Sequence, residues 1–205
     1  MGKLSIKGRA KREVRCDGME ISIKFYIHGK TSTEALRNIK KQSEKFLRLI
    51  TAEGISLQDI HNGEVSVEQK FNEGEMTTRA MREVVMRLPF DMRTINYLTE
   101  LIREQNFSVD FECDYHITDE KQLHDDLLKE AFADSRQKAE FIAETMGRKI
   151  IGIDNVEYDL YHRDGWWDCE SERGIICECP QMLSNQIEAP LRKESETIDV
   201  VWLIE

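Results

Sequence analysis

Residues 3–14 alternate in character along an extended chain. Leu4, Ile6, Gly8, Ala10 and Val14 fall on one side, and Lys3, Ser5, Lys7, Arg9, Lys11 and Glu13 on the other. A period of two with one polar face is the pattern of a half-buried antiparallel strand. Its apolar face needs a covering layer and its polar face needs water, so the chain must build a sheet with helices or a second sheet on one side. The next residues extend the pattern. Asp17-Gly18 predicts a hairpin turn into a strand with Ile21, Ile23, Phe25 and Ile27 inward. Thr31 and Glu34 stand at capping-box spacing, ahead of a helix with Leu36, Ile39, Ser43, Phe46, Leu47 and Ile50 at helical intervals and Gly54 as its stop.

Strands are expected at 65–71 and 76–88, joined by Asn72-Glu73-Gly74 and closed by Pro89. Asp91 caps a short helix carrying Ile95, Leu98, Leu101 and Ile102. Phe107, Val109, Phe111, Cys113, Tyr115 and Ile117 form the inward side of a further strand, with Asp110, Glu112, Asp114 and His116 outward. The longest helix runs over 119–146. Leu128, Phe132, Ser135, Ala139, Ile142 and Met146 are its expected buried stripe, acids Asp119 and Glu120 suit its N-terminal dipole, and Gly147 ends it. Strands at 150–161 and 197–204 complete an order of ββαββ-αβαββ. Hairpins alternating with helices give an α+β class with antiparallel sheets, not a doubly wound parallel sheet.

With 205 residues, 40% of them apolar, the chain can bury a core without disulfides or metals. It reads as one domain over 1–205, or as two lobes of about 1–90 and 91–205. Residues 162–190 form a long loop or hairpin insertion without clear periodicity. No run of apolar residues is long enough to span a membrane. The first seven residues lack the apolar core of an export signal, so the expected location is the cytoplasm. A net charge of −10 opposes non-specific binding to nucleic acid, and the basic residues of 1–15 lack interleaved aromatics. Charge is uneven: from 154 to 199 acids outnumber Lys and Arg by about three to one. That asymmetry steers one copy onto another or the two ends of the chain together, or simply marks two solvated faces.

The run Ala131-Phe132-Ala133-Asp134-Ser135-Arg136-Gln137-Lys138-Ala139-Glu140, followed by Ala143 and Gly147, resembles the signature helix of the SIMPL-domain family (DUF541). Further pieces match in order: Gly8-Arg9-Ala10 as the opening small-residue strand, Asp17 at its turn, Ala35-Leu36 at the first helix, and Gly54-Ile55 with Asp59-Ile60 before the next strand. The likeness spans about 4–204. It implies an architecture more than a chemistry. The family includes periplasmic proteins of oxidative-stress defence, an antigen that assembles into a ring-like oligomer, and a protein that binds an interleukin-receptor-associated kinase. No enzyme activity defines it, so no catalytic residues carry over. Ser135 stands where the family usually has alanine, and the 162–190 segment is unusually rich in Cys and Trp.

That segment holds the candidate site residues. His162, Cys169, Cys177 and Cys179 have the donor chemistry of a zinc site, but Cys177-x-Cys179 is too close for the usual knuckle. Redox-active thiols and ordinary reduced cysteines are the other two readings. Trp166 and Trp167 are candidates for an interaction patch or for burial under the loop. Asp125, Asp126, Glu130 and Asp134 recur along the long helix as a solvated face would have them, and no histidine sits in a nucleophile pattern. The expectation is a non-enzymatic protein with no cofactor, acting as a homo-oligomer or through a protein partner. The rival is a cytoplasmic stress-protective protein using a thiol or metal centre at 162–179.

Overall fold

The structure is a computed structural model and describes residues 2–72, 75–158 and 187–205. Its elements in chain order are β1 (Gly2–Arg15), β2 (Gly18–Gly29), α1 (Ser32–Ala52), a 3-10 turn (Leu57–Asp59), β3 (Ile60–Asn72), β4 (Glu75–Pro89), α2 (Met92–Gln105), β5 (Val109–His116), α3 (Glu120–Thr145), β6 (Ile150–Glu157) and β7 (Leu191–Ile204). The α+β class and the element order are those read from the sequence. All strand pairs are antiparallel, in two sheets of order β1-β7-β6 and β3-β4-β2-β5.

The chain divides into two compact units. One comprises residues 2–15, 119–158 and 191–205, and the other 16–118 and 187–190. A cut near residue 90 would sever the ladder between β2 and β5, so the units are not successive halves of the chain. The Asp17-Gly18 hairpin is likewise replaced. β1 pairs along its whole length with β7 and β2 pairs with β4 and β5, so the two strands never share a ladder. Asp17 instead ties the start of β2 to its own sheet. Its amide donates to the His116 carbonyl (3.2 Å), its carbonyl accepts from Phe90 (2.9 Å), and its carboxylate accepts from the Thr118 amide (2.7 Å). That last bond holds the Asp17 carboxyl below its ordinary range.

In the four-stranded unit Met19, Ile21, Ile23 and Phe25 line one face of β2, opposite Phe46 and Ile50 of α1 and Leu98 of α2. Phe25, Phe46 and Phe107 meet edge to face, with centroids 5.4–5.8 Å apart. Helix α1 begins as its sequence requires, with the Thr31 hydroxyl accepting from the Glu34 amide at 3.2 Å. The Glu34 carboxylate reaches back to the Lys30 amide, one residue beyond the usual capping-box partner. The helix stops because Gly54 takes φ 99° and lets the amides of Gly54 and Ile55 close on the Thr51 and Ile50 carbonyls. Its buried stripe is Ala35, Ile39, Ser43, Phe46 and Ile50; Leu36, an expected member, is exposed.

In the three-stranded unit α3 covers β1 and β7. Its stripe is Leu127, Ala131, Ser135, Ala139 and Ala143. Of the six residues expected, only Ser135 and Ala139 belong to it, and Met146 is exposed. The cause is close approach. A Cβ on Gly8 would lie 1.9 Å from the Ala131 carbonyl oxygen, so helix and strand touch backbone to backbone. Only small side chains fit between them, and Leu128 and Phe132 are turned to the flank. Strand β7 begins six residues before the expected 197, because polar Lys193 to Glu196 hide its period while β1 pairs with it as far as Leu191.

Candidate functional site

His162, Trp166, Trp167, Cys169, Cys177 and Cys179, the residues singled out from the sequence, lie outside the described residues. Among the described residues no group of three or more His, Cys, Asp or Glu side chains could hold a metal ion. Cys16 is buried, and Cys113 is a free thiol whose pKa is pushed up to about 11 by burial. A thiol in that state is a small hydrophobe rather than a nucleophile. Of the four candidate acids of α3, Asp125 is exposed and the other three are engaged separately. Asp126 takes Gln122 and Lys129, Glu130 takes Arg12, and Asp134 takes Lys138. They form no carboxylate pair of the kind general acid–base chemistry uses.

What the middle of α3 does instead is clasp β1. The Arg9 amide donates to Asp134 Oδ2 at 2.8 Å, Lys138 Nζ bonds the same oxygen at 2.6 Å, and Lys138 also reaches the Lys7 carbonyl at 3.4 Å. Ser135 Oγ donates to the Ile6 carbonyl (3.2 Å) and accepts from the Trp202 indole (3.1 Å), linking α3 to both β1 and β7. The Lys138 ammonium and then the Arg9 amide hold the Asp134 carboxyl below its ordinary range. Among the described strands β1 is an edge, and Asp134 and Lys138 occupy backbone groups that would otherwise stand open to another strand.

One constellation escaped the sequence reading. His124 Nδ1 lies 2.7 Å from Glu196 Oε1, and its Nε2 lies 2.5 Å from the Tyr158 hydroxyl, which is itself 3.4 Å from Glu196 Oε2. With a neutral imidazole, Nδ1–H donates to the carboxylate and Nε2 accepts from the phenol. The carboxylate thereby sets the ring's tautomer and orientation. The three side chains pin α3, β7 and the residue after β6 to one another. They stand 34 and 72 positions from His124, a separation at which no local pattern signals contact.

Two further edges, those of β6 and β3, have no partner strand among the described residues. β6 has no partner on its outer side among the described residues, and Ile151, Ile153 and Val156 are exposed along it. β3 is the corresponding edge of the four-stranded sheet. Val65 and Phe71 are 57% and 71% exposed, and Val67 is exposed beside the buried Ala80. Helix α1 lies over β2 and β4 and scarcely reaches β3. Each sheet thus has an edge strand with aliphatic or aromatic side chains that no described element covers.

A model of the SIMPL family, described as a protein of unknown function (DUF541), matches residues 4–189. The chain belongs to the SIMPL family. No curated protein matches it. The SIMPL signature now has a physical content. Its alanines let α3 touch β1 at Gly8, its Asp134 and Lys138 close the β1 edge, and Arg136 pairs with Glu140 at 2.8 Å on the solvent side. Ser135, within the same run, carries the bond to Trp202. The matched Gly54-Ile55 is the helix stop described above, and the matched Asp17 is the brace at the start of β2.

Proposed function

We propose that this SIMPL chain is a non-enzymatic cytoplasmic protein that works by assembling with copies of itself or with a protein partner. The supporting observation is a pair of edges that no described residue covers, β6 with Ile151, Ile153 and Val156, and β3 with Val65, Val67 and Phe71. An edge strand that keeps apolar side chains and open backbone groups favours the addition of another strand, and proteins that must stay monomeric blunt such edges. The contrast with β1, whose edge Asp134 and Lys138 close, supports reading the open edges as surfaces for contact. The rival reading, a thiol or metal centre at 162–179, falls on residues outside the described ones.

Light scattering coupled to size exclusion, on the untagged full chain at micromolar concentration, tests the reading. A single species larger than the monomer, or a partner retained through purification, is the expected result. A monodisperse monomer that retains no partner would overturn it.

A further inference from the structure

The edge of β6, which no other described strand pairs with, has a symmetry of its own. In an antiparallel ladder directly paired residues share a face. Ile150, Ile153 and Val156 pair with Ile204, Trp202 and Val200, all buried under α3, so these three point to the helix side. Register shifts between Ile150 and Gly152 and between Ile153 and Asn155 leave Ile151 and Asp154 as extra residues. The apolar row on the helix side therefore recurs every three residues, centred on Ile153. Ile153 and Val156 are 44% and 43% exposed.

We infer that β6 pairs with β6 of a second copy, antiparallel about a two-fold axis through Ile153. This rests on the assembly reading above and names its contact. In that register Ile153 meets the partner's Ile153, and Ile150 meets the partner's Val156, so the apolar row is its own complement, as an isologous interface requires. Gly152 falls opposite the partner's Asp154 and leaves room for a carboxylate that its own Lys3 already holds at 2.6 Å. Lys149 falls opposite the partner's Glu157, twice by symmetry. Lys149 extends the ladder by one residue, bonding Glu205 through its amide (2.8 Å) and carbonyl (3.0 Å), and its exposed side chain has no ion-pair partner among the described residues. Glu157 is exposed as well. A register shifted by one residue in either chain would lose the two ion pairs together with the apolar match. The result is one continuous six-stranded sheet with a clasped β1 at each end.

Sedimentation velocity on the full chain, with circular dichroism to confirm folding, tests the register. Wild type is expected as a dimer or an assembly of dimers. Ile153→Lys places two ammonium groups face to face at the axis and weakens association by about a hundredfold. Lys149→Glu and Glu157→Lys each oppose like charges and weaken it by about tenfold, whereas the combined exchange restores it to within about threefold. Two folded single variants without recovery in the double would overturn the register. An assembly indifferent to Ile153→Lys would overturn the β6 contact and leave assembly standing through another surface. A monomeric wild type with no partner would remove both.

Discussion

The three-stranded and four-stranded units cover a sheet with helix by opposite means. In the four-stranded unit α1 meets β2 closely at its first turn, where Gly29 faces Ala35, and beyond it the space between helices and sheet is filled by volume: Phe25, Phe46 and Phe107 interlock, with Met19, Ile39 and Met86 around them. In the three-stranded unit α3 touches β1 at Gly8. The space that large side chains would occupy is gone, and polar bonds from Asp134, Ser135 and Lys138 do part of the holding. The first arrangement depends on how much is buried, the second on how little. It follows that the same kind of substitution should act differently in the two units.

The largest effect is expected at Phe46. Phe46→Ala empties a site of zero exposure and costs about 3–5 kcal/mol. Gly8→Ala adds one methyl where backbone stands in the way, and costs about 1–3 kcal/mol. Denaturant unfolding gives the magnitudes, and hydrogen exchange read by mass spectrometry gives the location. Phe46→Ala should loosen β2, β4 and α1, and Gly8→Ala should loosen β1, β7 and α3. Protection lost equally in both units by either variant would break the comparison.

A smaller effect sharpens it. Ser135→Ala removes the acceptor of a buried indole N–H and costs about 1–2 kcal/mol. Adding Trp202→Phe removes the orphaned donor as well, so the double variant should lose less than the sum of the two single ones. Strict additivity would show that the hydroxyl only fills space.

The smallest effect is in acid. Lys138 and then the Arg9 amide lower the Asp134 pKa, and the Ser22 hydroxyl and then the Glu64 amide lower that of Glu83 in the other unit. A carboxyl depressed in the folded state contributes stability that is complete above its unfolded value, about 4, and is lost as pH falls through the folded value. Asp134→Asn and Glu83→Gln should each lower stability at pH 7 by less than about 1 kcal/mol, since both groups are partly exposed. Neither should change stability near pH 2, so the acid limb becomes shallower. An unchanged slope in thermal melts from pH 5 to 2 would show that the Asp134 clasp adds nothing to stability.

Wherever a property depends on neighbours a few positions away, the sequence determined it. The alternation of β1 and β5, the Thr31 and Asp91 caps and the Gly54 stop all stand where local sterics and local hydrogen bonds put them. The class and the order of elements followed from these, and so did the family, whose signature lies within one helix. Tertiary structure decided what joins distant residues. Asp17-Gly18 has the chemistry of a hairpin turn, yet β1 gains a partner nearly two hundred positions away, and Asp17 is used to brace β2 instead. The α3 stripe differs from the periodic expectation because hydrophobic periodicity favours large residues, whereas contact at Gly8 selects small ones. His124, Tyr158 and Glu196 are unremarkable singly and meet only when α3, β6 and β7 are in place. The edge position of β6 among the described strands was hidden for the same reason: a strand's own residues say which side is apolar, but only the sheet's order says which strands flank it.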